Sequence, residues 1–166
     1  MATAPEAETD WVKACALADV AAAAAEHRGF HVSEGEASGI TVFRARDGTV
    51  SAVETACPHA GHRLSNGHAC DPADIEDLGG AGLGVLVQCP AHSYVYDTRT
   101  GVCVAAFGGG PGRAVVHGAR VVGDTVHVDL VARPPADLPA KFTAEVRNRI
   151  GLKCIDLALD AKFGPA

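Results

Sequence analysis

Residues 57–67 read CPHAGHRLSNG and residues 89–96 read CPAHSYVY. Each stretch opens on Cys-Pro and offers an imidazole close behind: His59 two places after Cys57, and His92 three places after Cys89. Two such turns, brought face to face, make a four-donor metal site. Thiolate sulfur and imidazole nitrogen suit zinc, iron or an iron–sulfur cluster, and not calcium or magnesium. Two arrangements compete. A zinc knuckle pairs Cys with Cys and His with His at set spacings. Here each turn supplies one sulfur and one nitrogen, which also suits a binuclear centre. Cys57 and Cys89 then hold one iron, His59 and His92 the other, and two sulfides bridge them.

The elements that must position these turns read as strands. Glycine at 19 and proline at 9, with many short Val/Ile/Thr runs, point to an all-β fold. Residues 40–44 and 49–53 flank Arg46-Asp47-Gly48, a hairpin signal. Residues 85–88 form a short buried strand leading into the second Cys-Pro turn. Residues 94–96 and 101–104 bracket another turn, and 119–122 and 125–130 make a third hairpin across Gly123-Asp124. The Ala-rich stretch 20–26 reads as a short helical turn or loop. After Arg133-Pro134-Pro135, a linker by composition, the tail is ambiguous. Phe142, Val146 and Ile150 have helical spacing, while Ile155, Leu157 and Leu159 alternate as in a strand. A helix is expected for the first half only.

The 166 residues allow one domain with a tail, large enough to bury a core without staples. A net charge of −6 argues against nucleic acid or an anionic membrane as partner. No run approaches the ~18 apolar residues of a membrane span. The start, MATAPEAETDW, has neither a secretory nor an organellar pattern. A soluble, cytoplasmic protein is expected. The six cysteines are irregularly spaced, which favours ligands and core residues over disulfides.

The doubled box resembles the Rieske 2Fe–2S family, whose pattern is Cys-x-His followed by Cys-x-x-His. The likeness extends from DGTVSAVETACPH through GVLVQCPAHSYVYDTRTG to GGGPGR, whose Pro111 matches the Pro-containing loop that closes over the cluster. It covers roughly residues 10–131. The resemblance implies a Rieske-type β-sandwich over residues 10–133, a cluster-binding subdomain at about 55–107, and a partly helical C-terminal extension over 134–166. It also implies one 2Fe–2S cluster per chain, held by Cys57, His59, Cys89 and His92.

Three departures refine this expectation. Rieske subunits of membrane cytochrome complexes carry one more cysteine in each box, joined as a disulfide. His62 and Ala91 stand at those positions, so the chain resembles the soluble Rieske ferredoxins that feed oxygenases. The gap between the boxes is long, and its HACDPADIEDLGGAGLG resembles a segment of eukaryotic soluble Rieske-domain proteins. Finally, Ser93 replaces the usual glycine after the second histidine. High-potential members place a Ser and a Tyr in the second box to hydrogen-bond the sulfurs. Tyr94 occupies the Ser-equivalent position and Tyr96 the Tyr-equivalent one. A midpoint nearer roughly −150 mV than +300 mV is expected, with Tyr96 the residue that lifts it.

The implied function is that of an electron carrier between a reductase and an acceptor such as an oxygenase, rather than an enzyme in its own right. A redox-sensing module and a small subunit of a reductase, such as nitrite reductase, are the alternatives. Asp71, Asp74, Glu76 and Asp77 form an acidic run expected beside the cluster loops, either a solvated loop or a docking patch for a basic partner. Cys15, Cys103 and Cys154 read as core residues. His62 is expected to pack beside the cluster or face water.

Overall fold

The computed structural model describes residues 9–105 and 112–164. Along the described chain run β1 (Trp11–Ala16), α1 (Leu17–Ala25), β2 (Phe30–His31), β3 (Ile40–Arg44), β4 (Val50–Glu54), β5 (His68–Cys70), β6 (Leu86–Gln88), β7 (Val95–Asp97), β8 (Cys103–Ala105), β9 (Val116–Val122), β10 (Thr125–Ala132) and α2 (Ala144–Phe163). They form a six-stranded sheet in the order β1-β10-β9-β4-β3-β2 and a four-stranded sheet in the order β5-β6-β7-β8. Neighbouring strands are antiparallel throughout. The all-β expectation holds, as do the three hairpins.

Each hairpin forms where turn chemistry interrupts a β-branched run. In β3, Ile40, Thr41, Val42 and Phe43 are all buried, one face toward α1 and the other toward the second sheet. The chain then reverses because the Asp47 carboxylate accepts from the backbone N–H and the hydroxyl of Thr49, at 2.9 and 2.7 Å.

The four-stranded sheet is covered on both faces, as its alternating residues require. Ala69, Val87, Tyr96 and Cys103 pack toward the six-stranded sheet. Cys70, Leu86, Val95 and Val104 pack against Ile150 and Cys154 of α2. Each fully buried aliphatic side chain there contributes about 1.5–3 kcal/mol.

Two expectations need correction. The Ala-rich stretch is a complete helix, and the tail is helical through Phe163 rather than only in its first half. Leu159 is exposed, so the strand-like alternation counted a residue that lies outside the core cluster. The packed residues, Val146, Ile150, Cys154 and Leu157, recur every three to four positions. Thr143 caps the start by accepting from Val146 N–H at 3.3 Å. Among the described residues no helix is long and apolar enough to cross a membrane.

Candidate metal centre

Each Cys-Pro stretch folds into a loop closed by the same two backbone hydrogen bonds. In the first, Cys57 N–H donates to His62 C=O at 2.8 Å and Gly61 N–H to Cys57 C=O at 2.8 Å. In the second, Cys89 N–H donates to Tyr94 C=O at 2.7 Å and Ser93 N–H to Cys89 C=O at 3.2 Å. The fifth residue of each loop takes the left-handed conformation: Gly61 at φ 76° and Ser93 at φ 59°. Glycine adopts this geometry freely and serine does so under strain. With Ser93 in place of the family's usual glycine the loop closes all the same, at that cost.

The loops hang from different sheets. The first leaves β4 through Thr55, where a side-chain chain runs from His31 Nδ1 to Thr55 Oγ1 (2.8 Å) and on to Thr41 Oγ1 (2.6 Å). The second joins β6 to β7. They meet because Gly67, at the end of the first stretch, lies directly against β6. A Cβ there would stand 1.9 Å from the Gln88 carbonyl oxygen. Only glycine permits that approach.

The donors sort by burial. Cys57 and Cys89 are buried, whereas His59 and His92 are exposed. The imidazoles stand edge to face, their centroids 4.5 Å apart at 84°. Burial raises the Cys89 thiol pKa, and the adjoining Cys57 thiol adds to the rise, against the backbone N–H groups of Ala91 and His92 that favour its thiolate. Those two amides offer hydrogen bonds to sulfur that no side-chain signal in the sequence could reveal. Among the described residues no three Cys, His, Asp or Glu side chains gather around one point as a single-ion site would need. The two thiols adjoin one another and so do the two imidazoles, so the candidate donors form a sulfur pair and a nitrogen pair.

Among the supporting residues, Tyr96 is fully buried and its hydroxyl lies 3.3 Å from Cys57 Sγ. Burial first, then the contact with Cys57, pushes its pKa upward, so the hydroxyl keeps its proton and can donate to a thiolate. Tyr94 is also buried, its ring 4.7 Å from His59. It packs against the imidazole. His62 is exposed, with its ring 6.2 Å from that of His92, and stands at the rim. Pro111 lies outside the described residues.

The acidic run is not beside these loops. Strand β5 pairs His68 with Gln88, next to Cys89, and Cys70 with Leu86, so the chain leaves for Asp71 at the far end of the sheet. Asp74 accepts both guanidinium nitrogens of Arg46 at 2.9 Å, and Asp71 accepts the Arg46 N–H at 2.7 Å. Half of the run is thus spent within the fold, away from any partner that approaches the histidines.

The Rieske [2Fe-2S] domain family matches residues 10–109, and the chain belongs to that family. Membership implies a 2Fe–2S cluster, and the donor set fits it: two buried thiols and two exposed imidazoles on facing loops. A similar solved structure is described as the small subunit of an NADH-dependent nitrite reductase from Mycobacterium tuberculosis. It is 25% identical over 76% of this chain and 99% of that one, with a TM-score of 0.56. A chain from a complex of reduced oxygenase and oxidized ferredoxin in carbazole 1,9a-dioxygenase is 22% identical, covering 75% of this chain and 96% of that one, at a TM-score of 0.55. Sphingomonas yanoikuyae B1 ferredoxin is 18% identical, covering 72% and 98%, at 0.54. The last two share the fold. No curated protein matches the chain.

Proposed function

We propose that the chain is a soluble one-electron carrier of the Rieske ferredoxin type. In this reading Cys57 and Cys89 hold the inner iron of the cluster and His59 and His92 the outer one. The observation that carries the reading is the burial asymmetry of the donors: both thiols are shut into the core and both imidazoles face solvent. When bound, a 2Fe–2S cluster supplies a one-electron couple, with reduction eased at the end held by neutral imidazoles. The protein's own residues do the rest. The two loops exclude water from the sulfur side, the Tyr96 hydroxyl and the amides of Ala91 and His92 donate toward the sulfurs, and the imidazole edges offer a partner its shortest approach.

The carrying unit spans residues 10–133, with its cluster-binding part at about 55–107. The extension over 134–166 braces the four-stranded sheet through α2. The partners are a reductase and an acceptor that close over His59 and His92, and the six cysteines, none of them in a disulfide, suit a reducing cytoplasm. The identity with the nitrite reductase small subunit, which extends over nearly all of that chain, supports a second reading as a small subunit within a reductase assembly.

Electron paramagnetic resonance of the reduced protein tests the site. The expected signal carries nitrogen hyperfine coupling from two imidazoles and is lost in His59→Ala and His92→Ala. A colourless protein with one zinc per chain overturns the reading. Fast stopped-flow reduction of the isolated protein by a flavin reductase favours the carrier. Stable co-purification with a reductase large subunit, and no turnover without it, favours the subunit.

A further inference from the structure

At the open end of β3 lies a cavity that the cluster loops do not share. Strand β2 pairs with β3 only at Thr41 and Val42, so among the described residues that edge has no strand beside it from Phe43 onward. The space, about 380 Å³, is walled by α1 and by β5, the edge strand of the second sheet. That is room for a small organic molecule. Its apolar surface comes from Ala21, Ala24 and Ala25 with Phe43 and Val85. The alanine run is what leaves the room: a longer side chain at position 21 or 24 would fill it.

Three arginines, Arg28, Arg44 and Arg46, line the same space. Arg46 is committed to Asp74. Among the described residues the guanidinium groups of Arg28 and Arg44 have no carboxylate partner. Arg44 Nε is buried and donates to nothing. A cationic donor removed from water without an acceptor is costly, and such groups ordinarily face an anion or an ordered water. The one lining carboxylate, Asp71, cannot serve, because its oxygens already accept from the N–H groups of Arg46 and Ala73. In a chain of net charge −6 this is a local concentration of unspent positive charge over an apolar floor.

We propose that this cavity binds a small organic oxyanion, its carboxylate or phosphate on the guanidinium groups of Arg44 and Arg28 and its flat apolar body on the alanine face of α1. The planar fork of arginine matches either oxyanion. The site stands apart from the cluster loops and does not rest on the electron-carrier reading.

Titration calorimetry and thermal melting of the cluster-loaded protein with benzoate, AMP and inorganic phosphate test it. Benzoate or AMP is expected to bind and to raise the melting temperature as its concentration rises. Inorganic phosphate, lacking the apolar body, binds about tenfold more weakly or worse. Preference for benzoate identifies the carboxylate source, and preference for AMP the phosphate source. Arg44→Gln weakens binding about tenfold or more. Ala24→Leu, which keeps helix propensity, abolishes binding by filling the floor. The visible absorption of the cluster stays unchanged in both variants, which separates failure here from failure of the cluster site. No binding of any of the three probes overturns the proposal, as does phosphate binding as tightly as the organic anions. Unaltered binding in Arg44→Gln overturns it as well.

Discussion

The loop from Cys57 to His62 and the loop from Cys89 to Tyr94 share their backbone hydrogen bonds and differ in what supports them. The first hangs from the six-stranded sheet and turns its left-handed corner on Gly61; the second rises from the four-stranded sheet and turns the same corner on Ser93. A non-glycine residue in that conformation costs about 1–2 kcal/mol. Such strain persists only where the surroundings over-determine the backbone. The second loop has that support, since β6 and β7 are packed on one face by Val87 and Tyr96 against the first sheet and on the other by α2. The difference teaches that the loop's shape is set by its pattern of closure and by its foundation, with the corner residue adjusting the cost.

Removing a donor is the severest way to break this equivalence. Cys57→Ala and Cys89→Ala are each expected to lose the cluster entirely, measured as iron content and visible absorption after purification. Retention of the cluster in either variant contradicts the paired-loop arrangement. Next in size is Gly67→Ala, which drives a Cβ onto the Gln88 carbonyl and pries the loops apart. About 3 kcal/mol of stability should be lost, the upper end for overpacking because the obstacle is backbone, and a denaturant midpoint reads it directly. A midpoint equal to wild type would mean the loops do not depend on that approach.

A smaller effect concerns Tyr96, whose hydroxyl reaches from β7 to the sulfur of the first loop. Tyr96→Phe removes a donor to Cys57 sulfur worth about 1 kcal/mol, so the midpoint potential should fall by about 40 mV in a one-electron titration. An unmoved potential denies Tyr96 its tuning role. Smallest is the exchange of corners. Ser93→Gly should stabilise by about 0.5–1 kcal/mol, relief of strain less the added freedom of the unfolded chain. Gly61→Ser should cost about 0.5–1 kcal/mol by the same balance with the sign reversed, and thermal melts of both variants compare the two corners.

Much of the site was legible because it is local. The two boxes place their candidate donors within a few residues, and Asp-Gly or Gly-Asp between β-branched runs marks two of the three hairpins, the third turning on Asp97-Thr98-Arg99-Thr100. What was misread is what depends on distant packing. Position along the chain put the acidic run near the cluster, yet the β5–β6 register carries it to the opposite end. The tail looked divided because Leu159 was counted as packed, when the packed residues, Val146, Ile150, Cys154 and Leu157, stand at helical spacing from one another and exclude it. The chain from His31 through Thr55 to Thr41 had no signal at all, since its members lie far apart in sequence.

Residue type and spacing were enough to choose the hairpins and the family and to single out Cys57, His59, Cys89 and His92 as candidate donors, because turn chemistry and ligand spacing act over a handful of bonds. Strand pairing decided the remainder: that the thiols face inward and the imidazoles outward, that Tyr96 reaches a sulfur on the other loop, and that α2 lies on the four-stranded sheet. Those contacts join segments whose meeting is a matter of register, and register exists only once the two sheets have closed on a common core.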